Sequence, residues 1–322
     1  MVDIRTKVYQ MFILGTDGDC WKEALRNGLG GMIFFTKDIQ SVEQFRVLTL
    51  ECKNLALIPP FLSIDQEGGR VERTENLHNG KKYLSAKFAF EKGILHEQTS
   101  EIAQELISYG INLNFAPCID VNTNPNNPII GERAFSSNTS EVIQAEKIVS
   151  RTYEKLGIIP CVKHFPGHGD ASIDSHLGLP CIDMPLEEME KFHITPFKSA
   201  IANGIDMVMV AHLHCTCFDS EVLPTSLSVN AIKYLRKNLG FKGVAISDDM
   251  IMKGVAEKYS PLEACTMGIK AGLNMFIYRN STPDIINTIE SLVKMANNDS
   301  ELAEKINESF EKILELKKKF LL

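Results

Sequence analysis

Residues 206–248 read DMVMVAHLHCTCFDSEVLPTSLSVNAIKYLRKNLGFKGVAISD, and this stretch decides the fold. It begins with an apolar run at 206–212, continues with apolar residues at three- and four-residue spacing at 228–239, and ends with a second apolar run at 243–248. This pattern is typical of a strand, an amphipathic helix and another strand. Because the strand residues are apolar throughout, we expect a parallel sheet that is covered on its outer face.

The same unit recurs along the rest of the chain. Continuous apolar or β-branched runs predict eight strands, at residues 8–15, 31–35, 60–65, 113–117, 161–165, 206–212, 243–248 and 273–278. The helical spacing of apolar residues predicts helices between them, at 42–55, 99–109, 140–156, 185–203 and 228–239. Eight consecutive strand–helix units predict an α/β chain of the (β/α)8 barrel type.

A doubly wound sheet is the alternative arrangement of alternating strands and helices. It would carry a GxGxxG turn after its first strand, and neither the GTDG at 15–18 nor any other stretch supplies one. No repeat or Pro/Gly-rich linker divides the chain, so we expect residues 1–322 to form a single barrel domain. The charged amphipathic segment at about 300–321 is expected to be a helix that packs on the outside.

Composition limits the kinds of partner. The 322 residues include 34 Lys and Arg against 41 Asp and Glu, a net charge of −7, and 44% of them are hydrophobic. The apolar content argues against disorder, and the lack of a basic cluster argues against nucleic-acid binding, so we expect a small-molecule partner. The apolar run from Val8 to Gly15 is too short for a membrane helix. Eight cysteines, none in a CxxC pair, favour a reducing compartment, so we expect a cytoplasmic protein without membrane association.

Polar side chains end or follow five of the predicted strands. They are Asp65 in strand three, Asp120 after strand four, Lys163 and His164 in strand five, His212 in strand six and Asp248 in strand seven. Active sites of parallel barrels lie at the carboxyl ends of the strands, so these side chains are predicted to meet at one face. One acid alone would only cap the next helix, but five such strand ends favour an active site.

The stretch CVKHFPGHGDASIDSHLGLPC at 161–181 is too long for a simple strand–helix connection. Its length predicts a movable functional loop. Asp174 and His176 flank one serine, a spacing that lets the carboxylate reach the imidazole and raise its pKa, as a general acid/base requires. A solvated polar loop is the alternative interpretation. His168 is expected to hold this loop rather than to contact a substrate.

Asp248 and Asp249 are adjacent at a predicted strand end. Their side chains should point to opposite faces, so one of them should face the barrel mouth. A carboxylate there could act as a nucleophile, a base or a metal ligand. The other is expected to be the N-cap of a helix that begins in MIMKGV.

Two glycines and three arginines form a second group of candidates. Gly68 and Gly69 in EGGRVER allow a tight turn that presents Arg70 and Arg73 to an acidic partner or to a ligand. Arg133 in IIGERAF has the same two interpretations, a structural salt bridge or a ligand clamp.

Four motifs together resemble glycoside hydrolase family 3, most of all its bacterial β-N-acetylglucosaminidase branch. They are SIDQEGGRVER at 63–73, IIGERAF at 129–135, KHFPGHGDASIDSH at 163–176 and AISDDM at 245–250. The resemblance covers nearly the whole chain and implies a (β/α)8 catalytic domain without a cofactor. It also implies a small carbohydrate substrate that contains N-acetylglucosamine, and the expected substrate is a cell-wall muropeptide fragment.

By this resemblance, Asp248 is the nucleophile of a retaining mechanism that passes through a glycosyl-aspartate. His176 is the general acid/base, and Asp174 is its partner. The positions that match those gripping the sugar hydroxyls and the acetamido group are Asp65, Arg73, Arg133, Lys163 and His164. The chemistry agrees, because a carboxylate accepts hydrogen bonds from sugar hydroxyls while Lys and Arg donate them. A histidine in place of the usual glutamate becomes neutral after the first step, which leaves phosphate as an alternative acceptor and a phosphorylase as an alternative function.

The sequence departs from the family pattern in three places, SDDMIMKG, GERAF and AGLNMFIY, the last of which has Asn274 where an aspartate is common. Two other classes of protein were weighed. A metal-dependent barrel hydrolase could use His212 and His214 with His164, His168 and Asp248, although we expect no metal. A carbohydrate-binding protein without activity would lose the nucleophile or the acid/base pair first, and both are present. The sequence gives no prediction of the oligomeric state.

Overall fold

The computed structural model describes residues 2–79, 81–171 and 178–322. Within these residues the main sheet has eight parallel strands, and the fifth is in two pieces. The strands are β1 Phe12–Asp17, β2 Gly31–Phe34, β3 Phe61–Ile64, β4 Leu113–Asn114, β5 Ile159–Pro160 with Val162–Phe165, β6 Met207–Val210, β7 Val244–Asp249 and β8 Met275–Asn280. A separate small sheet pairs Cys181–Ile182 with His214–Cys215.

The sheet closes on itself through β5. The first piece of β5 pairs with β4 and its second piece pairs with β6, while β1 pairs with both β2 and β8. Strands that pair only in parallel and close in chain order form a (β/α)8 barrel, so the predicted fold class is confirmed. Every residue of β2, β3 and β6 is buried, which explains why these strands are apolar without alternation.

Helices surround the barrel. They are α1 Ile4–Gln10, α2 Trp21–Arg26, α3 Val42–Leu55, α4 Ala86–Glu91, α5 Leu95–Ser108, α6 Thr139–Leu156, α7 Leu186–Met189, α8 Thr195–Ala202, α9 Val229–Lys233, α10 Lys253–Ala256, α11 Pro261–Ala271, α12 Pro283–Ala296 and α13 Ser300–Phe320. The predicted helices at 185–203 and 228–239 contain the π-helical stretches Glu190–Ile194 and Tyr234–Asn238. Among the described residues, none of the helices is both long and apolar enough to cross a membrane.

The first predicted strand was placed too early in the sequence. The apolar residues Val8 and Tyr9 belong to α1, and β1 begins only at Phe12. The side chain of Asp3 caps α1 by accepting a hydrogen bond from the backbone N–H of Thr6. Since α1 packs against α12 and α13, its apolar residues are buried in helical form. Tertiary packing therefore divides one apolar run between a helix and a strand.

The last turns of α13 cover the amino-terminal end of the barrel. Lys317 is fully buried there, and its Nζ donates to Gln10 Oε1 at 2.8 Å and to the carbonyl of Gly30 at 2.9 Å. Gln10 precedes β1 and Gly30 precedes β2, so both acceptors lie where these strands begin. The opposite, carboxyl end of the barrel is where the polar strand ends gather.

Candidate active site

A cavity of about 330 Å³ opens at the carboxyl ends of the strands. The side chains predicted from the sequence that line it are Asp65, Arg73, Arg133, Lys163, His164 and Asp248. These residues come from four separate parts of the chain, and the closed barrel brings them together. The acid/base candidates Asp174 and His176 lie outside the described residues.

Lys163 is the centre of a buried network of charges. Only 2% of its side chain is exposed, and its Nζ lies 2.6 Å from Asp65 Oδ1 and 2.6 Å from Glu67 Oε1. Glu67 also accepts two hydrogen bonds from Arg133, from Nε at 2.9 Å and from Nη2 at 2.8 Å. The network therefore alternates acids and bases across the floor of the cavity, with a bidentate carboxylate–guanidinium pair at its end.

The pKa shifts of Glu67 and Lys163 keep both of these groups charged. Burial alone would raise the pKa of Glu67, but the adjacent Arg133 and Lys163 outweigh it and hold the pKa well below its usual range. Burial would lower the pKa of Lys163, but Asp65 and Glu67 raise it instead. Rigid, fully charged groups of this kind can orient hydroxyl groups without reorganising.

His164 is oriented by the buried carboxylate of Asp120. The His164 Nδ1 lies 2.7 Å from Asp120 Oδ2, and Asp120 Oδ1 accepts from the backbone N–H of His168 at 2.6 Å. The other ring nitrogen of His164, Nε2, lies 3.3 Å from Arg133 Nη2. The carboxylate and the guanidinium together fix the orientation of the ring. His164 thus joins the charged network to the cavity wall.

Asp248 lies at the end of β7 with its carboxylate in the cavity. Burial would raise its pKa, but His164, His212 and the N–H of Asp249 together lower it below its usual value. That N–H donates to Asp248 Oδ1 at 2.7 Å. His212 is held through Nδ1 by Ser226 Oγ at 2.7 Å. An ionised, half-buried carboxylate at a barrel mouth is chemically suited to attack an electrophilic carbon.

Arg73 reaches the cavity through the glycine turn. Gly68 and Gly69 both adopt positive φ, at 94° and 61°, a conformation that favours glycine. The Arg73 guanidinium lies over the Phe35 ring, with Nη2 4.0 Å from Asp65 Oδ2. Arg70, in contrast, is exposed and donates to the carbonyl of Pro128 at 3.0 Å, outside the cavity lining. The turn therefore presents one of its two arginines to the site.

The prediction for the adjacent aspartates was wrong in two respects. Asp248 and Asp249 both line the cavity, and α10 begins at Lys253 with Met252 as its N-cap. The cause is an irregularity in the pairing of β7 with β8 between Ile246 and Asp249, which changes where the last side chains point. Asp249 forms an ion pair with the Nε of Arg279 on β8 instead of capping a helix.

His168 also differs from its prediction. Its backbone N–H holds the loop by donating to Asp120, but its ring lines the cavity. Both ring nitrogens are buried without a hydrogen-bond partner among the described residues. Burial lowers the pKa of His168 to about 4, so the ring is neutral at physiological pH and free to bond a ligand.

Sequence reasoning missed Glu67 and Arg279 as site residues. Glu67 stands inside the EGGR motif, so the motif itself was a usable signal. No sequence signal marked Arg279, because its place in the cavity depends on how β7 and β8 align.

The structure does not assemble the metal site that was considered as an alternative. His212 lies against Asp248, whereas His214 belongs to the small sheet and its Nδ1 lies 3.4 Å from the backbone N–H of Leu223. Among the described residues, one group of three metal-ligand types is close enough to share an ion, and it consists of Cys118, Asp120 and His164. Its carboxylate already accepts hydrogen bonds from the thiol and the imidazole.

Comparison with known proteins identifies the family. The model of the glycosyl hydrolase family 3 N terminal domain matches residues 3–316. The chain belongs to glycosyl hydrolase family 3. A family 3 assignment agrees with the barrel and with the placement of the polar strand ends around one cavity.

Individual relatives of this family 3 chain carry related names. It is 34% identical over 272 residues to β-hexosaminidase A of Pseudoalteromonas piscicida, covering 78% of this chain and 46% of that protein. It is 32% identical over 279 residues to a β-hexosaminidase of Neisseria meningitidis serogroup C, covering 84% of this chain and 76% of the other.

A solved structure shares the whole fold. The family 3 β-N-acetylglucosaminidase from Paenibacillus sp. superimposes with a TM-score of 0.92 at 32% identity, covering 99% of this chain and 63% of that one. The chain thus spans less than two thirds of this relative and about half of the Pseudoalteromonas protein.

Proposed function

We propose that this chain is a retaining β-N-acetylglucosaminidase that removes terminal β-linked N-acetylglucosamine. The observation that carries the proposal is the ionised, half-buried Asp248 in one cavity with Asp65, Lys163 and Arg133, whose charges Glu67 links from behind. The names of the β-hexosaminidase relatives and of the Paenibacillus enzyme support the same activity.

The sugar binds against the charged network. The second oxygen of Asp65, Oδ2, lies 4.0 Å from Arg73, which leaves it available to accept from a sugar hydroxyl. Lys163 uses two carboxylate partners and retains a third N–H for a hydroxyl oxygen. Arg73, Arg133 and His164 complete the set that orients the hydroxyls and the acetamido group.

The reaction has two steps. Asp248 attacks the anomeric carbon as the bond to the leaving oxygen breaks, and His176, oriented by Asp174, gives that oxygen its proton. In the second step His176 takes a proton from water as the water oxygen attacks the anomeric carbon, and the bond to Asp248 breaks. The sugar leaves with retained configuration, and both catalytic groups return to their starting protonation states.

The wider setting is part of the same proposal. We expect residues 1–322 to form one catalytic domain that acts on cell-wall muropeptide fragments in the cytoplasm. All eight cysteines are free thiols, which supports a reducing compartment.

Release of nitrophenol from 4-nitrophenyl N-acetyl-β-D-glucosaminide tests the activity. We expect turnover with free N-acetylglucosamine as the product, and loss of at least about 10⁴-fold in kcat for Asp248→Ala. Asp206→Ala is the matched control, because this aspartate pairs with Lys319 outside the cavity and should leave kcat unchanged. An inactive wild type, or an Asp248→Ala variant with undiminished turnover, would contradict the proposal.

A further inference from the structure

Arg279 is an unassigned cation in the catalytic cavity. It lies at the end of β8 and lines the cavity, and 38% of its side chain is exposed. Its Nε donates to Asp249 Oδ2, and its backbone N–H lies 3.4 Å from Asp249 Oδ1. No described residue accepts a hydrogen bond from its two terminal nitrogens, Nη1 and Nη2. The guanidinium is therefore anchored along one edge and open along the other.

The two buried cations of the cavity, Lys163 and Arg133, are both held by carboxylates. Lys163 contacts two carboxylates, and Arg133 donates two hydrogen bonds to Glu67. These groups form the wall proposed to hold the sugar. Arg279 projects from the β7–β8 side, where the cavity lining also contains Asp248, Asp249, Met252 and Ile277. The cavity thus has a wall of paired cations proposed to hold the sugar, and on the β7–β8 side, beside Asp248, a guanidinium with an open edge.

We propose that Arg279 binds an oxyanion on the leaving-group side of the cavity. A planar guanidinium with two free parallel N–H groups binds carboxylate and phosphate in a bidentate manner. Asp249 is buried and holds Nε, so the free edge has a fixed direction before any ligand arrives. The inference rests on the proposed function, because that function defines which side is the leaving-group side.

Two sources can supply this oxyanion. One is a carboxylate on the part of the substrate that departs. The other is hydrogen phosphate acting as the acceptor in place of water. In that case a phosphate oxygen attacks the anomeric carbon, the bond to Asp248 breaks, and the hydrogen phosphate proton stays on the sugar 1-phosphate. The Asp248 carboxylate is regenerated, and His176 regains from solvent the proton it gave to the leaving group.

The test compares two substrates with two leaving groups, 4-nitrophenol and 3-carboxy-4-nitrophenol, each linked to N-acetyl-β-D-glucosamine. We expect Arg279→Gln to lower kcat/KM for the carboxylated substrate at least ten-fold more than for the neutral one, if the carboxylate is the ligand. If phosphate is the ligand, added phosphate yields sugar 1-phosphate with the wild type, and Arg279→Gln loses at least nine tenths of that product. Arg279→Lys keeps the positive charge but lacks the two parallel N–H groups. It should therefore retain only part of the preference for the carboxylated substrate or of the sugar 1-phosphate yield.

Arg70→Gln is the matched control, because Arg70 is exposed and lies outside the cavity lining. The inference would be overturned if Arg279→Gln changed kcat/KM equally for both substrates and left the yield of sugar 1-phosphate unchanged. A wild type that is inactive on both substrates contradicts the proposed function instead. In that case, calorimetry of phosphate binding tests the inference about Arg279 separately. The inference stands if Arg279→Gln weakens phosphate binding, and it fails if the binding is unchanged.

Discussion

Glu67 shows how much a single buried residue contributes to this site. It is the shared partner of Lys163 and Arg133, and only 3% of its side chain is exposed. A carboxylate between two buried cations cannot be removed without leaving their charges uncompensated. Glu67 therefore holds the sugar wall in place, although it is not itself expected to contact the sugar.

Replacing Glu67 by Gln should lower the free energy of unfolding by about 3 kcal/mol, because two buried cations lose their common counter-charge. Chemical denaturation measures this loss directly. Glu51→Gln is the control, since Glu51 pairs with Lys22 on the surface at 39% exposure and should cost less than about 1 kcal/mol. Similar losses in the two variants would contradict the assigned role of Glu67.

His168 makes the stability of the fold depend on pH. Its pKa is lowered from 6.5 to about 4 by burial, so the folded protein binds this proton more weakly than the unfolded chain does. The stabilisation is complete above pH 6.5 and is lost as the pH falls towards about 4, amounting to about 3 kcal/mol over this range.

Replacing His168 by Asn should therefore flatten the fall in unfolding free energy between pH 6.5 and pH 4. Denaturant titrations at a series of pH values give this slope independently of any constant loss of stability. His96→Asn is the control, because His96 is exposed and should leave the slope unchanged. A slope in His168→Asn equal to that of the wild type would show that the burial of this ring does not control the effect.

At the scale of elements, the local spacing of apolar residues predicted helices correctly, whereas the alignment of neighbouring strands could not be predicted from it. The helix at 42–55 was predicted with its observed bounds, because its apolar spacing and its Ser41 cap are both local features. The apolar run at 8–15 was misassigned, because packing against α12 and α13 decides its conformation. The positions of Asp249 and Arg279 depend on the irregular alignment of β7 with β8, which no single stretch encodes.

The conformation of the loop after β5 depends on the close approach of Gly169 to the backbone of Val121. A Cβ on Gly169 would lie 1.7 Å from the carbonyl oxygen of Val121, so even alanine requires the backbone to move. We expect Gly169→Ala to lower the free energy of unfolding by about 2 kcal/mol or more. Thermal and chemical denaturation measure this effect. Gly178→Ala is the control, because a Cβ there meets no atom of the described residues within 4 Å. An undiminished stability in Gly169→Ala would mean that the loop can shift freely.

For the whole molecule, the sequence was sufficient to predict the barrel and most of the polar cavity wall. Eight repeated units imply closure, and closure places strand ends such as Asp65, His164 and Asp248 together. The role of Glu67 in the site could not be predicted because its partners, Lys163 and Arg133, are distant in the sequence and meet it only in the folded barrel. The division of β5 into two pieces, one paired with β4 and the other with β6, was also visible only in the three-dimensional structure.

The covered base of the barrel affects how a polymer is degraded. Buried side chains fill the barrel interior, and α13 with Lys317 covers the end opposite the cavity, so a bound glycan has no path through the described barrel. Under the proposed function, each released sugar has to leave through the mouth by which the glycan entered, and we expect the shortened chain to dissociate before the next cut. Degradation should therefore be distributive rather than processive. With an excess of chitotetraose, chromatography should show trimer accumulating before dimer, whereas early dimer without trimer would indicate that the glycan stays bound between cuts.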